Sequence, residues 1–347
     1  MSKETNEVKS ISINTEGTAF AICLTKGIVA YDLYPLKRKF DIVFERDIYL
    51  MSEIEVAAVE LISNTSFVAI AYNKPGKDFS IVDVYDVHNA MFVSQRGLSE
   101  LVTCMKVLYD SDDPGSSKLC VGFSTRVVVY DIHKEAELMS IPCTPRSLSI
   151  SALNKVLVTE DNKETVIVRN FCGEVQRRAL NRNDNSVITA VSKSGRMVAT
   201  ASRKGTVIKV IDLEEPAAPM LEHRRGTANE ATVSSMSFSQ DDKLLAISTK
   251  NRETIHIFSL SPWSQQSSWW NPGAPTSVIQ IHPPVSNPPN SPDAIKFEGA
   301  VVTFCGDSKL VVITHRGDYL VYEINLKEKK AVLEEGTRPV NICLLDI

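Results

Sequence analysis

A short strand-like segment recurs along the chain and constrains the fold more than any other feature. Each copy is a run of β-branched and aromatic residues that ends in a polar residue, as in residues 126–131, Arg-Val-Val-Val-Tyr-Asp. The copies end at Asp32, Asp86, Asp131, Asn170, Asp212, Ser259 and Glu323. These positions lie 39 to 64 residues apart in the 347-residue chain. The shorter intervals match the ~40–45 residues of one blade of a β-propeller.

Two further strand-like segments precede several copies. The nearer one is rich in small residues and occurs at 20–24, 67–71, 197–202 and 244–248, and the farther one occurs at 8–13 and 233–238. Three strands in fixed order with a more variable fourth make one blade, and seven such units leave only short, protected sheet edges. The sequence therefore predicts an all-β, WD40-like seven-bladed β-propeller that forms one domain over residues 1–347. A pair of β-sandwiches is the alternative, and the Gly-His and Trp-Asp pairs of a common WD40 repeat do not occur.

Composition and spacing limit the classes of function. The 38 Lys and Arg residues against 42 Asp and Glu give a net charge of −4, which does not indicate a nucleic-acid-binding protein. We find neither a targeting segment nor an apolar run of the ~18 residues that span a bilayer. The seven cysteines are scattered without a Cys-x-x-Cys pair, which favours reduced, mostly buried thiols in the cytosol. Metal-ligand clusters, nucleophile elbows and phosphate-binding glycine loops are missing, so we expect no enzyme activity, metal or cofactor.

A pair of arginines lies on the predicted outer edge of blade five. Arg224 and Arg225 are followed by Gly226 and Thr227. Because consecutive residues of a strand point to opposite faces, one arginine would face blade five and the other blade six. The planar guanidinium group matches phosphate, and the pair therefore suggests two phosphate pockets. A solvated pair at a sheet edge is the alternative.

Hydroxyl and basic side chains flank the arginine pair on both sides. Within residues 193–209, which contain no acidic residue, the candidates are Ser202, Thr206 and Lys209. On blade six the candidates are Ser248, Thr254 and His256. Thr254 and His256 are two residues apart on one strand, so they are expected to share a face. A histidine that is satisfied between blades is the alternative for His256.

An uncharged insertion occupies residues 261–293 of blade six. Its first 32 residues, 261–292, contain no Asp, Glu, Lys or Arg but hold all three tryptophans and eight of the sixteen prolines. Since proline fits neither a sheet interior nor a regular helix, we expect a loop. Tryptophan favours the membrane–water interface, and the lack of charge lowers the cost of entering it. Membrane insertion of Trp263, Trp269 and Trp270 is favoured over a disordered proline-rich linker or peptide-binding arm.

The residues around the arginine pair resemble a known family. Residues 223–227, His-Arg-Arg-Gly-Thr, together with 234–239 and 254–258, are similar to the PROPPINs, the WIPI-type phosphoinositide-binding β-propellers of autophagy. The hallmark of that family is Phe/Leu-Arg-Arg-Gly. The resemblance extends over nearly the whole chain as a repeat pattern and is specific over about 186–260. It implies seven blades, one head-group site on each side of the arginine pair, and a loop of blade six that enters the bilayer.

The resemblance also implies residues, ligands and partners. The first site would use Arg224 with Ser202, Thr206 and Lys209, and the second would use Arg225 with Ser248, Thr254 and His256. The implied ligands are phosphatidylinositol 3-phosphate and phosphatidylinositol 3,5-bisphosphate, on autophagosome-precursor and endosomal membranes that face the cytoplasm. The implied protein partners are the lipid-transfer or conjugation machinery of autophagy, and we expect a monomer. A protein-binding scaffold propeller without lipid binding is the alternative.

Three positions depart from the family pattern. His223 stands where the family has Phe or Leu, and it could pack as an aromatic residue or titrate at acidic pH. Lys209 stands where the family usually has Arg, so a bidentate contact with phosphate would be lost. Residues 183–186, Asn-Asp-Asn-Ser, lack the histidine that many members place there. The last two departures concern the first site.

Overall fold

The structure is a computed structural model in which strands dominate. It describes residues 8–44, 55–74, 76–134, 136–145, 147–151, 153, 155–161, 165–170, 175–179, 186–202, 204–215, 221–225, 232–250, 254–260, 277–284, 299–334 and 340–341. Within these ranges the only helical element is one turn of 3-10 helix at Pro114–Ser116. The all-β prediction is therefore confirmed for the described residues.

The strands form seven sheets, in which strands that follow one another along the chain are neighbours. Sheets 1 and 2 contain β1 (Val8–Ile13), β2 (Ala19–Leu24), β3 (Gly27–Asp32), β4 (Lys37–Val43), β5 (Glu55–Leu61), β6 (Phe67–Asn73), β7 (Ser80–Asp86) and β8 (Met91–Leu98). Sheets 3 and 4 contain β9 (Cys104–Leu108), β10 (Lys118–Gly122), β11 (Arg126–Asp131), β12 (Glu137–Pro142), β13 (Leu148–Ser151), β14 (Val156–Asp161), β15 (Thr165–Asn170) and β16 (Val175–Ala179).

The remaining three sheets carry the candidate site. Sheets 5 and 6 contain β17 (Ser186–Val191), β18 (Met197–Ser202), β19 (Val207–Asp212), β20 (Leu221–Arg224), β21 (Val233–Phe238), β22 (Leu244–Thr249), β23 (Ile255–Ser259) and β24 (Ile279–Ile281). Sheet 7 contains β25 (Ala300–Cys305), β26 (Lys309–Thr314), β27 (Asp318–Asn325) and β28 (Lys330–Leu333), and β29 (Val340–Asn341) also pairs with β27. The predicted succession of three strands and an outer fourth is confirmed in these sheets.

The chain divides into two compact units, Met1–Arg178 with Asp346–Ile347 and Ala179–Leu345. In the first unit, apolar clusters join sheet 1 to sheet 2, sheet 2 to sheet 3, and sheet 3 to sheet 4. In the second unit, similar clusters join sheet 5 to sheet 6 and sheet 6 to sheet 7. The core of each unit therefore lies between successive sheets. The single domain over 1–347 stays a prediction.

The repeated aspartate closes the hairpin between the third and fourth strands of a sheet. Asp131 Oδ1 accepts the N–H groups of His133 and Lys134, both at 3.0 Å. Asp86 and Asp212 make the same pair of bonds two and three residues further along. A short carboxylate that bonds to backbone just ahead of it is the physical basis of such a turn, which explains why the repeat ends in Asp.

In the seventh copy Glu323 keeps the position of the repeat, since it lies opposite Lys309 as Asp131 lies opposite Lys118, but the residue that closes the turn is Asn325. Asn325 Oδ1 accepts the N–H groups of Lys327 and Glu328, both at 3.1 Å. Glu323 lies inside β27 and accepts a hydrogen bond from the Ser308 hydroxyl at 2.7 Å. The third strand of sheet 7 therefore continues two residues beyond the repeat position before its turn begins, and the repeat pattern alone does not show this extension.

Serine hydroxyls of sheet 6 satisfy the free edge of sheet 7. The first strand of sheet 7, β25, has no sheet neighbour on one side, so the N–H groups on that edge need other partners. The hydroxyl of Ser235 accepts the N–H of Val302 at 3.1 Å, and that of Ser248 accepts the N–H of Ala300 at 3.3 Å. The serine-rich strand at 233–238 thus has a structural role between two sheets.

The insertion in blade six is not entirely a loop, which corrects the prediction for residues 261–293. Ile279–Ile281 forms β24, the outer strand of sheet 6, and pairs with β23. Its Ile-Gln-Ile pattern buries both isoleucines against sheet 7 and exposes Gln280. These three residues contain no proline, so they can join the sheet although prolines flank them.

Asp212 also holds an ion pair, and its contribution to stability can be measured. The Arg196 guanidinium donates to Asp212 Oδ2 from Nε at 2.9 Å and from a terminal nitrogen at 2.6 Å. Burial by itself raises the pKa of Asp212, but the bonds from Arg196 and from the N–H groups of Glu214 and Glu215 outweigh it and hold the pKa below its ordinary value.

Asp212→Ala is expected to lower the free energy of unfolding by about 2 kcal/mol, because two turn N–H groups and a guanidinium lose their acceptor. Asp212→Asn keeps an acceptor for the turn and should cost about half as much. Urea unfolding at pH 7 measures both, with Glu215→Ala as the control at an exposed residue of the same turn. Since the lowered pKa stabilises the fold only above about pH 4, the deficit of Asp212→Asn should shrink as the pH falls below 4. A deficit that is unchanged at pH 3 contradicts this assignment.

Candidate functional site

The outer strand of sheet 5, β20, alternates between buried and exposed side chains. Leu221 and His223 are buried, whereas Glu222 and Arg224 are exposed, as expected for a strand with one covered face. His223 is only 1% exposed, and its ring centroid lies 5.1 Å from that of Phe258 in sheet 6. Of the two roles considered for His223, the structure therefore places it as an aromatic residue between sheets 5 and 6.

Arg224 lies on the other face of β20. In the pairing with β19, Arg224 is opposite Val207 and Glu222 is opposite Lys209. Residues opposite each other in an antiparallel pair project to the same face, so these four side chains share one face of sheet 5. Arg224 therefore projects away from His223 and from sheet 6.

Arg225 is the first residue beyond β20 and is anchored to a neighbouring turn. Its N–H donates to the carbonyl of Thr206 at 3.0 Å, and its Nε donates to the carbonyl of Gly205 at 2.9 Å. Its positive charge acts on His256 of sheet 6. The two arginines thus lie on different sides of β20: Arg225 is on the side of sheet 6, and Arg224 is on the opposite side.

The four residues predicted for the first site are only partly brought together. Arg224 and Lys209 share a face, but Lys209 is 5% exposed and its Nζ lies 3.4 Å from Glu222 Oε1. Thr206 is half-buried in the turn before β19, where its carbonyl accepts the Arg225 N–H. Ser202 ends β18, and its side chain lies outside the described part of the structure.

Glu222 is the residue of this face that sequence reasoning missed. It stands two residues before Arg224, so the alternation that separated the two arginines could also have placed Glu222 beside Arg224. Thr200 was missed as well: it lies opposite Lys209 on β18 and is fully buried. An acidic residue and a hydroxyl therefore accompany the basic side chains.

The second predicted site centres on His256, which lies in β23 opposite Gln280 of the outer strand β24. The imidazole is 5% exposed and stacks on Phe258 with the ring centroids 6.4 Å apart. Its Nδ1 lies 3.1 Å from the hydroxyl of Ser277, just before β24. Thr254 is half-buried immediately before β23, two residues from His256.

Ser248 does not share the face of His256, contrary to the predicted grouping. Ser248 is opposite Ile255, whereas His256 is opposite Ile247, so the two side chains project to opposite faces of sheet 6. Ser248 is fully buried and faces sheet 7, where it accepts the Ala300 N–H. Neighbouring residues of a strand project to opposite faces, so an assignment that is off by one position places the hydroxyl on the wrong face. Only the strand register shows which hydroxyl of β22 lies on the face of His256.

Thr249 supplies the hydroxyl on the correct face. It is opposite Val233, which belongs to the apolar cluster between sheets 5 and 6, and it follows Ile247 of the same cluster by two residues. Its side chain is fully buried, and its Oγ1 has no hydrogen-bond partner among the described residues. A buried hydroxyl without a partner is costly, which marks this position as a candidate for ligand contact.

The environment of His256 keeps the imidazole neutral. Burial lowers its pKa most, and the positive charge of Arg225 and the neighbouring His282 lower it further, to about 4. The same cationic surroundings would favour an anion. A phosphate group that bound beside Arg225 and His256 would gain attraction from Arg225 and would raise the pKa of His256 again.

Several predicted residues lie outside the described part of the structure. These are Gly226 and Thr227 of the arginine motif and the three tryptophans, Trp263, Trp269 and Trp270. The tryptophans fall between β23 and β24, in residues 261–276. Their roles stay predictions.

The described residues contain neither a membrane-spanning helix nor a metal-binding cluster. In the ranges given above, no helix is long and apolar enough to cross a membrane. The same ranges contain no group of three or more His, Cys, Asp and Glu side chains placed to hold a metal ion. Of the cysteines that are described, Cys23, Cys120 and Cys143 are buried, Cys104 and Cys305 are half-buried, and none of the five forms a disulfide.

Comparison with known proteins points to one family. The PROPPIN family model matches residues 174–275, which contain β16 to β23 and the arginine pair. The chain is 24% identical over 276 residues to WD repeat domain phosphoinositide-interacting protein 1 of Xenopus laevis, which covers 76% of this chain and 59% of that protein. It is 27% identical over 237 residues to autophagy-related protein 18 of Dictyostelium discoideum, which covers 66% of this chain and 61% of that protein. The chain therefore spans about three fifths of the length of these relatives.

A solved structure agrees with this result at the level of the fold. Hsv2 from Kluyveromyces marxianus superimposes with a TM-score of 0.73 at 17% sequence identity, covering 95% of this chain and 97% of that chain. This likeness shows an all-β propeller fold.

The neutral state of His256 predicts how stability depends on pH. An unfolded histidine has a pKa of about 6.5, and folded His256 has a pKa of about 4, so the unfolded state binds more protons between these values. Stability should therefore fall as the pH drops from about 6.5 toward 4. His256→Asn should make this loss shallower by up to about 1.4 kcal/mol per pH unit. Urea unfolding between pH 7 and 4.5 measures the slope, with His88→Asn in an exposed turn of sheet 2 as the control. Parallel curves for wild type and His256→Asn contradict this role.

Proposed function

We propose that the chain, whose residues 174–275 match the PROPPIN family model, binds phosphoinositide head groups at sheets 5 and 6 as a non-enzymatic, peripheral membrane effector of autophagy. The observation that carries this proposal is the divergence of Arg224 and Arg225 to two sides of β20. Each guanidinium can meet one phosphate, and because the two side chains lie on opposite sides of β20, they approach different phosphates. This geometry supports two separate pockets.

The first pocket we propose is built on Arg224, with Lys209, Thr206 and Ser202 as the further residues. Arg224 is exposed and shares a face with Lys209, which supports a basic pocket on that side of sheet 5. Lys209 is a point charge without the planar fork of arginine, so the main directional contact with a phosphate falls to Arg224.

The second pocket we propose is built on Arg225 and His256, with Thr254 before β23. Here Thr249 replaces Ser248 as the hydroxyl, because Thr249 lies on the face of His256. The ring nitrogens of a neutral imidazole offer one donor and one acceptor, and the hydroxyl adds another donor. A phosphate in this pocket would meet one full charge and two neutral hydrogen-bonding groups.

The ligands we propose are phosphatidylinositol 3-phosphate and phosphatidylinositol 3,5-bisphosphate in membranes that face the cytoplasm. The name of the Xenopus laevis relative supports phosphoinositide binding, and that of the Dictyostelium discoideum relative supports a role in autophagy. Recruitment of lipid-transfer or conjugation proteins to autophagosome-precursor and endosomal membranes, by a monomer, belongs to the same proposal. We further infer that the seven sheets are the seven blades of one propeller over residues 1–347.

The chain enters and leaves the tryptophan-containing segment at sheet 6, which supports a role of this segment in membrane binding. It leaves sheet 6 after β23 and returns at Ser277, whose hydroxyl contacts His256. The second pocket and the base of the loop are therefore neighbours, and a bilayer could hold both. Once one head group or the loop is bound, the other contacts are held close to the membrane at a high effective concentration. The overall affinity for the membrane can therefore be high although each single contact is weak.

Flotation with liposomes tests the proposal directly. Wild type should float with vesicles that contain either phosphorylated lipid and not with unphosphorylated phosphatidylinositol. Arg224→Thr/Arg225→Thr should lose more than about tenfold in binding, since each lost charge-assisted hydrogen bond is worth about 1.5–3 kcal/mol. Replacing Trp263, Trp269 and Trp270 by Ala should also abolish flotation.

The matched control is Lys37→Thr/Arg38→Thr, which removes two adjacent exposed charges from β4, the outer strand of sheet 1. It should bind like wild type. If the folded wild-type protein ignores both phosphorylated lipids, the chain is a scaffold propeller that binds proteins, and the lipid proposal is wrong.

A second experiment separates the two neighbouring hydroxyls of β22. Thr249→Val removes the hydroxyl and keeps the shape, so it should weaken lipid binding about threefold to tenfold while the fold is kept. Ser248→Ala removes the acceptor of the Ala300 N–H, so it should lower stability by about 1 kcal/mol and leave lipid binding unchanged. Flotation and urea unfolding of both variants give the answer, and the reverse pattern would return Ser248 to the pocket.

A further inference from the structure

The face of β20 that carries Arg224 also carries an anion of its own. Glu222 precedes Arg224 by two residues and projects to the same face, about 6–7 Å away along the strand. Glu222 also lies directly opposite Lys209, and the two charged groups form an ion pair at 3.4 Å. The carboxylate therefore stands between the two cations that the first pocket would use.

Burial shows which partner of this ion pair is accessible. The side chain of Lys209 is 7% exposed, whereas that of Glu222 is 45% exposed. A buried ammonium group needs a counter-charge, and Glu222 supplies it from the solvent side. A phosphate that approaches Lys209 from solvent must displace this carboxylate or share the ammonium group with it.

The two proposed pockets differ in the charges that neighbour their basic residues. The charged group that acts on His256 beside the second pocket is the cation Arg225, and His282 acts in the same direction. In the first pocket the charge of Lys209 is already balanced by Glu222, so the ion pair reduces the positive charge that Lys209 and Arg224 together present on that face. An anion would therefore bind less strongly to the first pocket than the number of basic residues suggests.

Building on the function proposed above, we propose that Glu222 acts as an internal competitor that occupies Lys209 and weakens the first pocket for phosphate. A phosphorylated head group enters by displacing the carboxylate, which can swing into solvent because it is half-exposed. Lys209 then exchanges one counter-anion for another, and it never stays buried without one. Glu222 thereby sets the affinity of this pocket and makes it respond to the charge of the head group.

The experiment isolates the first pocket by working in an Arg225→Thr background, in which the second pocket has lost its charge. Binding is titrated with phosphatidylcholine vesicles that contain phosphatidylinositol 3-phosphate, and vesicles with unphosphorylated phosphatidylinositol are the blank. Glu222→Gln should bind about fivefold more tightly than its parent, the size expected for a half-exposed ion pair plus the repulsion that is removed. Glu222→Asp, which retracts the carboxylate by one methylene, should give a smaller gain in the same direction.

Two controls assign the effect to Lys209. Glu215→Gln makes the same change in net charge at an exposed residue beyond the other end of β19, and it should leave binding unchanged. In a Lys209→Gln background, Glu222→Gln should lose most of its effect, because nothing is left for the carboxylate to occupy. Unfolding midpoints in urea confirm that each variant is folded, and Glu222→Asp keeps a counter-charge for Lys209 if Glu222→Gln proves unstable.

The outcomes separate this proposal from the function on which it rests. If wild type binds the phosphorylated vesicles and Glu222→Gln binds no more tightly, the competitor proposal fails and lipid binding stands. If the gain persists without Lys209, Glu222 acts on the head group directly, and the proposed route through Lys209 is wrong. If wild type does not bind but Glu222→Gln does, Glu222 blocks the pocket and the proposal holds. If neither binds, the proposed lipid function itself fails.

Discussion

Burial of sheet faces against neighbouring sheets is the constraint on which the rest of the structure depends. In sheet 6, Ile255 and Ile257 of β23 pack toward sheet 7, while Phe258 of the same strand packs toward sheet 5. With both faces covered, charged side chains find solvent only at strand ends, turns and outer strands. The arginine pair lies at such a place, at the end of the outer strand β20.

Close packing of sheets leaves polar backbone groups that have to be satisfied locally. The turn aspartates bond to the backbone just ahead of them, and the serines of β21 and β22 reach across to the free edge of β25. Both are short side chains, which fit where two sheets meet at close range. The same principle makes Thr249 notable, since its hydroxyl is buried without a described partner.

Electrostatics distinguish the two sides of β20. On one side, Lys209 is paired with Glu222 and Arg224 is left exposed. On the other, Arg225 faces an imidazole that burial and positive neighbours keep neutral. Two adjacent residues of identical chemistry thus have different surroundings, and an anion would meet the Lys209–Glu222 ion pair on one side and the positive charge of Arg225 beside a neutral imidazole on the other.

The sequence by itself determined the strands, their grouping and the divergence of Arg224 and Arg225, because the period-two alternation of a strand is local and needs no knowledge of neighbours. Only the tertiary structure decided which side chains meet. The register of β22 turned Ser248 toward sheet 7 and Thr249 toward His256, and the pairing of β19 with β20 brought Glu222 to Lys209. Sheet 6 also includes Ile279–Ile281 from a proline-rich insertion, and the last hairpin is closed by Asn325, two residues after the repeat position. These outcomes depend on the partner strand and on hydrogen bonds between residues far apart in the chain, which a repeat pattern read along one chain does not contain.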